Sequence, residues 1–152
     1  MKILVKRVRS ANLKFLDKDV LEEKGSISKG LLIFIGFDSE DSPDKFDFFI
    51  DKIINLRVFE DSQGKCNLSI KDSACEIMLV PNFSLCANVK KGRRPSFDSA
   101  LAGKVAKDFF NYFLKQFSSK GFKLICGEFG KQMFIENVED GPLNIIIDSS
   151  DF

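Results

Sequence analysis

The segment Pro81-Asn82-Phe83-Ser84-Leu85 sets an amide and a hydroxyl two residues apart, directly after an apolar run. A serine hydroxyl turns nucleophile only when a base takes its proton, and no base adjoins Ser84 in the sequence. By residue type alone Ser84 is therefore an ordinary hydrogen-bonding group. The base that such sites most often use is missing altogether, because the 152 residues contain no histidine. That excludes Ser-His-Asp and Cys-His hydrolysis, and with them His-Glu-x-x-His and Cys₂His₂ metal centres. The four cysteines, Cys66, Cys75, Cys86 and Cys126, include no C-x-x-C pair, so neither zinc nor dithiol redox chemistry is expected. They read as reduced and mostly buried.

Lys90-Lys91-Gly92-Arg93-Arg94-Pro95 gathers four cations on one short loop, in a chain whose 23 Lys+Arg and 22 Asp+Glu leave a net charge of only +1. No global field steers the protein toward DNA or an anionic membrane, and any nucleic-acid contact has to be local. The loop suits phosphate contact through charge-assisted bonds; by charge alone that signal is weak, and the loop reads first as a solvated basic surface. Phe97 follows the loop directly and could stack on a nucleobase. Most of the other phenylalanines, of 17 in all, fall on helix stripes or in strands and read as core. Asp140-Gly141-Pro142 reads as a turn.

The elements that must hold these groups follow from periodicity. The length predicts one domain over residues 1–152, and 44% hydrophobic with 30% charged residues is the balance of a globular fold. Met1 to Val8 alternates apolar and basic positions as a half-covered strand does. Leu13–Leu16 and Val20–Glu23 form a hairpin around Asp17-Lys18-Asp19, and Leu31 to Phe37 reads as a strand buried on both faces. Ser42-Pro43 predicts the start of a first helix that runs to about Arg57 along Phe46, Phe49, Ile50, Ile53 and Leu56. After a turn at Asp61–Gly64 and a strand at Glu76–Val80, the apolar stripe Leu101, Val105, Phe109, Phe113, Phe117 predicts a second helix from Asp98 to Ser119, ended by Gly121. Phe122–Cys126, Met133–Val138 and Leu143–Asp148 read as strands, the last two joined through the Asp-Gly-Pro turn. The class is α+β. Lys2, Lys6, Arg7 and Arg9 interrupt the apolar run that a signal peptide needs, so a cytoplasmic chain is expected.

Several segments together resemble the D-aminoacyl-tRNA deacylases. They are Met1 to Val8, Gly30-Leu31-Leu32, Lys52 to Asp61 with Asn55-Leu56-Arg57-Val58-Phe59-Glu60-Asp61, Gly64 to Ser69, Lys91-Gly92-Arg93-Arg94-Pro95-Ser96-Phe97, Gly127-Glu128-Phe129-Gly130 with Met133, and Val138-Glu139-Asp140-Gly141-Pro142 up to Asp148. The resemblance spans about residues 1 to 148. It implies a β-barrel-like mixed sheet with two helices, assembled as a homodimer, and hydrolysis of the ester that joins a D-amino acid to the 3′-terminal adenosine of tRNA, with no cofactor or metal. It places Ser84, Asn82 and the Phe83 backbone at the reacting carbonyl. Gly141-Pro142 becomes a cis pair, contributed by the other subunit, that holds the substrate amine and leaves an L side chain no room. Glycyl-tRNA would pass that filter. Arg7 would fix the filter loop, Phe97 and Met133 would lie at the substrate, and Lys91, Arg93 and Arg94 would meet acceptor-stem phosphates; no DNA or membrane partner is implied.

The chain also departs from the family pattern. Where members usually read Ser-Gln-x-Thr-Leu, residues 81–85 carry Asn82, one methylene shorter, and Ser84, which lacks the methyl. Glu139 stands where asparagine is usual and Asn144 where threonine is. Two rival readings therefore stay open at this point: a paralogue of altered aminoacyl specificity, and a tRNA-binding protein without catalysis.

Overall fold

In the computed structural model, which describes residues 1–152, the alternation that opens the chain does not stop at Val8. Lys2–Asp17 is one 16-residue strand, β1, because Ala11, Leu13 and Phe15 keep the buried phase of Ile3 and Val5 beyond an irregularity at Val8–Ser10. The first half of β1 pairs antiparallel with β3, Gly30–Gly36, and its second half with β2, Val20–Ile27. Along its other edge lies β8, Met133–Asp148, also antiparallel. One strand with two successive partners on one edge forces the sheet to curl. β6, Glu76–Pro81, continues it parallel to β3, and β7, Leu124–Cys126, lies parallel to β6. The result is a nearly closed, barrel-like mixed sheet in the order β2-β1-β3-β6-β7, with β8 on β1. A small hairpin of β4, Phe59–Glu60, and β5, Cys66–Leu68, turns at Asp61–Gly64.

Two helices cover one face. α1 is Phe46–Ile54 and α2 is Gly103–Ser118. Phe46, Phe49, Ile50 and Ile53 of α1 and Phe110, Phe113 and Phe117 of α2 share a core with Ile3, Val5, Leu31, Ile33 and Ile35. Leu32 faces the opposite side, into a second core with Val8, Leu13, Phe15, Met78 and Val80. β3 therefore has both faces covered, which explains its unbroken apolar run. Phe37 and Phe46 each meet Phe109 and Phe113 edge to face, with ring centroids 5.5–6.4 Å apart.

Four expectations need correction. α1 is shorter than predicted, because Pro43–Lys45 forms a 3-10 turn and the Ser42 hydroxyl goes to Asp44 instead of capping the helix. α2 begins at Gly103, not Asp98, because the preceding segment is held by β3's exit: Ser39 N–H donates to Ser99 O at 2.8 Å and Leu101 N–H to Phe37 O at 3.0 Å. The Asp-Gly-Pro segment does not reverse the chain. Both sides of it pair with β1, so the two predicted strands are one. Of the cysteines only Cys86 is buried; all four are free, and Cys66 is exposed.

Candidate active site

β6 ends at Pro81, and the chain turns at once into a 3-10 turn over Phe83–Cys86. The turn is built by Asn82, whose Oδ1 accepts the Ser84 N–H at 3.1 Å and the Ser84 hydroxyl at 2.5 Å. Asn82 N–H donates to Ile35 O of β3 at 2.7 Å, which ties the turn to the sheet. The first N–H of a helical turn has no partner inside the turn, and the Phe83 N–H meets no acceptor elsewhere in the chain.

Beside this turn lies a cavity of about 780 Å³, the size of a small-ligand site. Asn82, Phe83, Phe97 and Met133 all line it, with Phe34, Val80, Leu101 and Ile135 as apolar wall. Phe83 and Phe97 pack edge to face, centroids 5.0 Å apart and planes 65° apart, yet Phe83 remains 57% and Phe97 39% exposed. Two aromatic rings at a cavity mouth leave a face for a planar ligand such as a base. Gly127 brings the far wall in: a Cβ there would lie 2.7 Å from Met133 Sδ and 3.0 Å from Pro81 Cδ. A side chain there would push the Met133 thioether out of its place on the cavity wall.

The other expected residues lie elsewhere. Ser84 does not line the cavity and is exposed. Lys91, Arg93 and Arg94 project from a loop closed by two hydrogen bonds between Asn88 and Ser96, at 2.7 and 2.9 Å. They are exposed, and no carboxylate pairs with them. Arg7, Gly141 and Pro142 are not part of the cavity wall. They form a unit of their own, in which the buried Arg7 donates from Nε to Asp140 O at 2.9 Å and from Nη1 to Val58 O at 2.7 Å. The Gly141–Pro142 bond is cis.

Sequence reasoning missed Lys131 and Gln132, which line the cavity between Gly130 and Met133. Their adjacency to Met133 was the available signal. No three Cys, Asp or Glu side chains converge where a metal ion could sit. None of the four cysteines lines the cavity, and burial pushes the Cys75, Cys86 and Cys126 thiols up from the usual range, which disfavours the thiolate. No helix is long and apolar enough to cross a membrane.

An amide, a free backbone N–H and an aromatic pair at one cavity suit acyl chemistry on a nucleoside-bearing ligand, and comparison with known proteins points the same way. A "D-aminoacyl-tRNA deacylase" of Finegoldia magna is 42% identical over 149 residues, covering 98% of each chain. One from Clostridium perfringens is 39% identical over 149 residues, covering 98% of this chain and 97% of the relative. Among solved structures, a "c-Myc DNA Unwinding Element Binding Protein" superimposes with a TM-score of 0.89 at 33% identity, over 98% of this chain and 99% of that one. A "probable eukaryotic D-amino acid tRNA deacylase" shares the fold, with a TM-score of 0.83 at 16% identity over 96% of this chain and 97% of that one. The family model described as D-Tyr-tRNA(Tyr) deacylase matches residues 4–148, and the chain belongs to that family.

Proposed function

We propose that the protein hydrolyses D-aminoacyl-tRNA, releasing the D-amino acid and free tRNA as a proofreading step of translation in the cytoplasm. The observation that carries this reading is a cavity lined by Asn82, Phe83, Phe97 and Met133 with the Phe83–Phe97 pair exposed beside it, next to a turn whose first N–H, that of Phe83, has no acceptor in the chain. An ester is already activated, so a prepositioned donor for the tetrahedral oxyanion and a held water supply much of the rate. The water oxygen bonds to the acyl carbon. Its proton passes through the ribose 2′-hydroxyl to the departing 3′-oxygen as the ester C–O bond breaks, and no imidazole is required.

The adenine of the 3′ end rests on Phe97 with Met133 beside it, and Lys91, Arg93 and Arg94 hold acceptor-stem phosphates. Gly141 and Pro142 act as chiral filter in the cavity of a second copy, oriented by Arg7. Support for that assignment is the absence of both residues from their own chain's cavity and the anchoring of their loop by a buried guanidinium. Rejection of the L form is steric, so glycyl-tRNA is also a substrate.

The test offers the protein D-tyrosyl-, L-tyrosyl- and glycyl-tRNA and follows loss of the ester. Rapid loss of the D and glycyl esters with the L ester intact is expected. Preference for an L ester would instead assign an altered specificity, and tight binding without turnover a binding protein.

A further inference from the structure

The turn at Gly127-Glu128-Phe129-Gly130 sets two polar side chains on the cavity wall that ester hydrolysis itself does not use. The segment leaves β7 with the Gly127 N–H held by Leu79 O of β6 at 2.8 Å, and it enters β8 with Gln132 O accepting the Leu16 N–H of β1 at 3.2 Å. Between these anchors Gly130 takes φ 82°, the left-handed region that a side chain disfavours, and the Lys131 N–H closes back on Glu128 O at 3.3 Å. Lys131 and Gln132 thus stand side by side on the wall. Of the 15 residues around the cavity Lys131 is the one that carries a charge, and 9 are hydrophobic. Neither the Lys131 ammonium nor the Gln132 amide has a partner in the chain. The carboxylate that feels the Lys131 charge is Glu22, and it is taken. Lys24 bonds it at 2.7 Å, and that bond first, with the charges of Lys24 and Lys131 after it, holds the Glu22 carboxyl below its usual range.

A largely apolar cavity with one unpaired cation suits an anion, because the ammonium and the amide N–H groups beside it can donate together to one pair of oxygens. No acidic side chain lines the wall to compete. We propose that Lys131 and Gln132 are specificity-determining residues that take an anionic group of the tRNA's aminoacylated end. Two groups there have that chemistry, the side-chain carboxylate of D-aspartate or D-glutamate and the phosphate that precedes the terminal adenosine. This rests on the deacylase reading above and adds to it a preference that a steric filter does not produce, since a clash reads shape and not negative charge. Both residues are exposed, so solvent screening holds the gain from the pair to about tenfold in affinity.

The experiment charges one tRNA with D-aspartate, D-asparagine or D-lysine and measures kcat and KM for the whole protein and for Lys131→Met, Lys131→Glu and Gln132→Leu, with thermal midpoints and a salt series. If the carboxylate is the ligand, the parent KM is about tenfold lower on the D-aspartyl than on the D-asparaginyl ester. Lys131→Met then brings that ratio near one, Gln132→Leu lowers it in part, and Lys131→Glu reverses the order in favour of D-lysine. If the phosphate is the ligand, Lys131→Met raises KM by a common factor on all three esters and flattens the salt slope by about 0.7. Either pattern, at a thermal midpoint close to the parent's, supports the site and names its source. A KM within about twofold of the parent on all three esters for both Lys131 variants overturns it. A parent that hydrolyses none of the three esters would strike instead at the deacylase reading, which the parent's own turnover reports before any variant is compared.

Discussion

Asp148, the last residue of β8, accepts from Lys2 and from the N–H and hydroxyl of Ser150. Burial pushes its carboxyl up, and the hydrogen bonds from Lys2 and Ser150 outweigh that and hold it at about 2, below the ordinary 3.8. The unfolded chain then binds the proton first as pH falls, so the stabilisation is complete above about pH 4 and is lost on the way down to pH 2. Lys2 is 37% exposed, and solvent screening leaves on the order of 1 kcal/mol at neutral pH. Asp148→Asn should lower the urea midpoint at pH 7 and unfold like the parent near pH 2; a gap that does not close with falling pH would remove this account. Such pairings escape a one-dimensional reading, because Lys2 and Asp148 meet only once β1 and β8 are in register. The same limit applies in the cavity. Asn82, Phe83, Phe97 and Met133 are recognisable by type and motif, whereas Lys131 and Gln132 carry no signature, and the outward direction of Ser84 is set by a hydrogen bond no spacing reveals.

The Gly141-Pro142 element is an excursion from a continuous strand. Lys6 faces Asn144 and Val8 faces Glu139, so two steps along β1 correspond to five along β8, and residues 140–143 are left out of the ladder, much as in an enlarged bulge. Glu139 and Asn144 stand at its base and bond to each other, Asn144 Nδ2 donating to Glu139 Oε2 at 3.3 Å. Lys6 completes a staple by pairing with Glu139. Hydrogen bonds from Lys6 first, then Asn144, hold the Glu139 carboxyl below its usual range, so its carboxylate stays ionised at any pH at which translation runs. Glu139→Ala should raise hydrolysis of L-tyrosyl-tRNA relative to the D ester, with Lys6→Ala doing the same and the double variant adding little, because one network is being broken twice. Unchanged discrimination in all three would show that the staple does not position the excursion. Helix stripes and the two-sided burial of β3 were legible because periodicity reports on a single element. The lengths of β1 and β8 and the start of α2 were not, since each depends on which distant backbone groups take the local N–H donors.

At the scale of the whole molecule, cavity and filter loop belong to different places on one chain, and a second copy is what brings them together under the proposed function. Two sites per dimer then share the field of a molecule whose chains each carry a net charge of only +1. Long-range steering is weak in such a protein, so the salt response of tRNA binding must come from cations without carboxylate partners near the cavity. The loop closed by Asn88 and Ser96 supplies them in Lys91, Arg93 and Arg94. Each phosphate neutralised on single-stranded RNA contributes about 0.7 to the slope of log K against log salt, and about 0.9 on a duplex. Replacing the three with alanine should therefore flatten the slope by roughly two to three units, while kcat on saturating D-tyrosyl-tRNA stays near the parent value, because the loop grips the phosphates and not the ester. A slope that does not move would detach the basic loop from the tRNA, whereas a fall in kcat at saturation would draw it into the chemistry of the cavity.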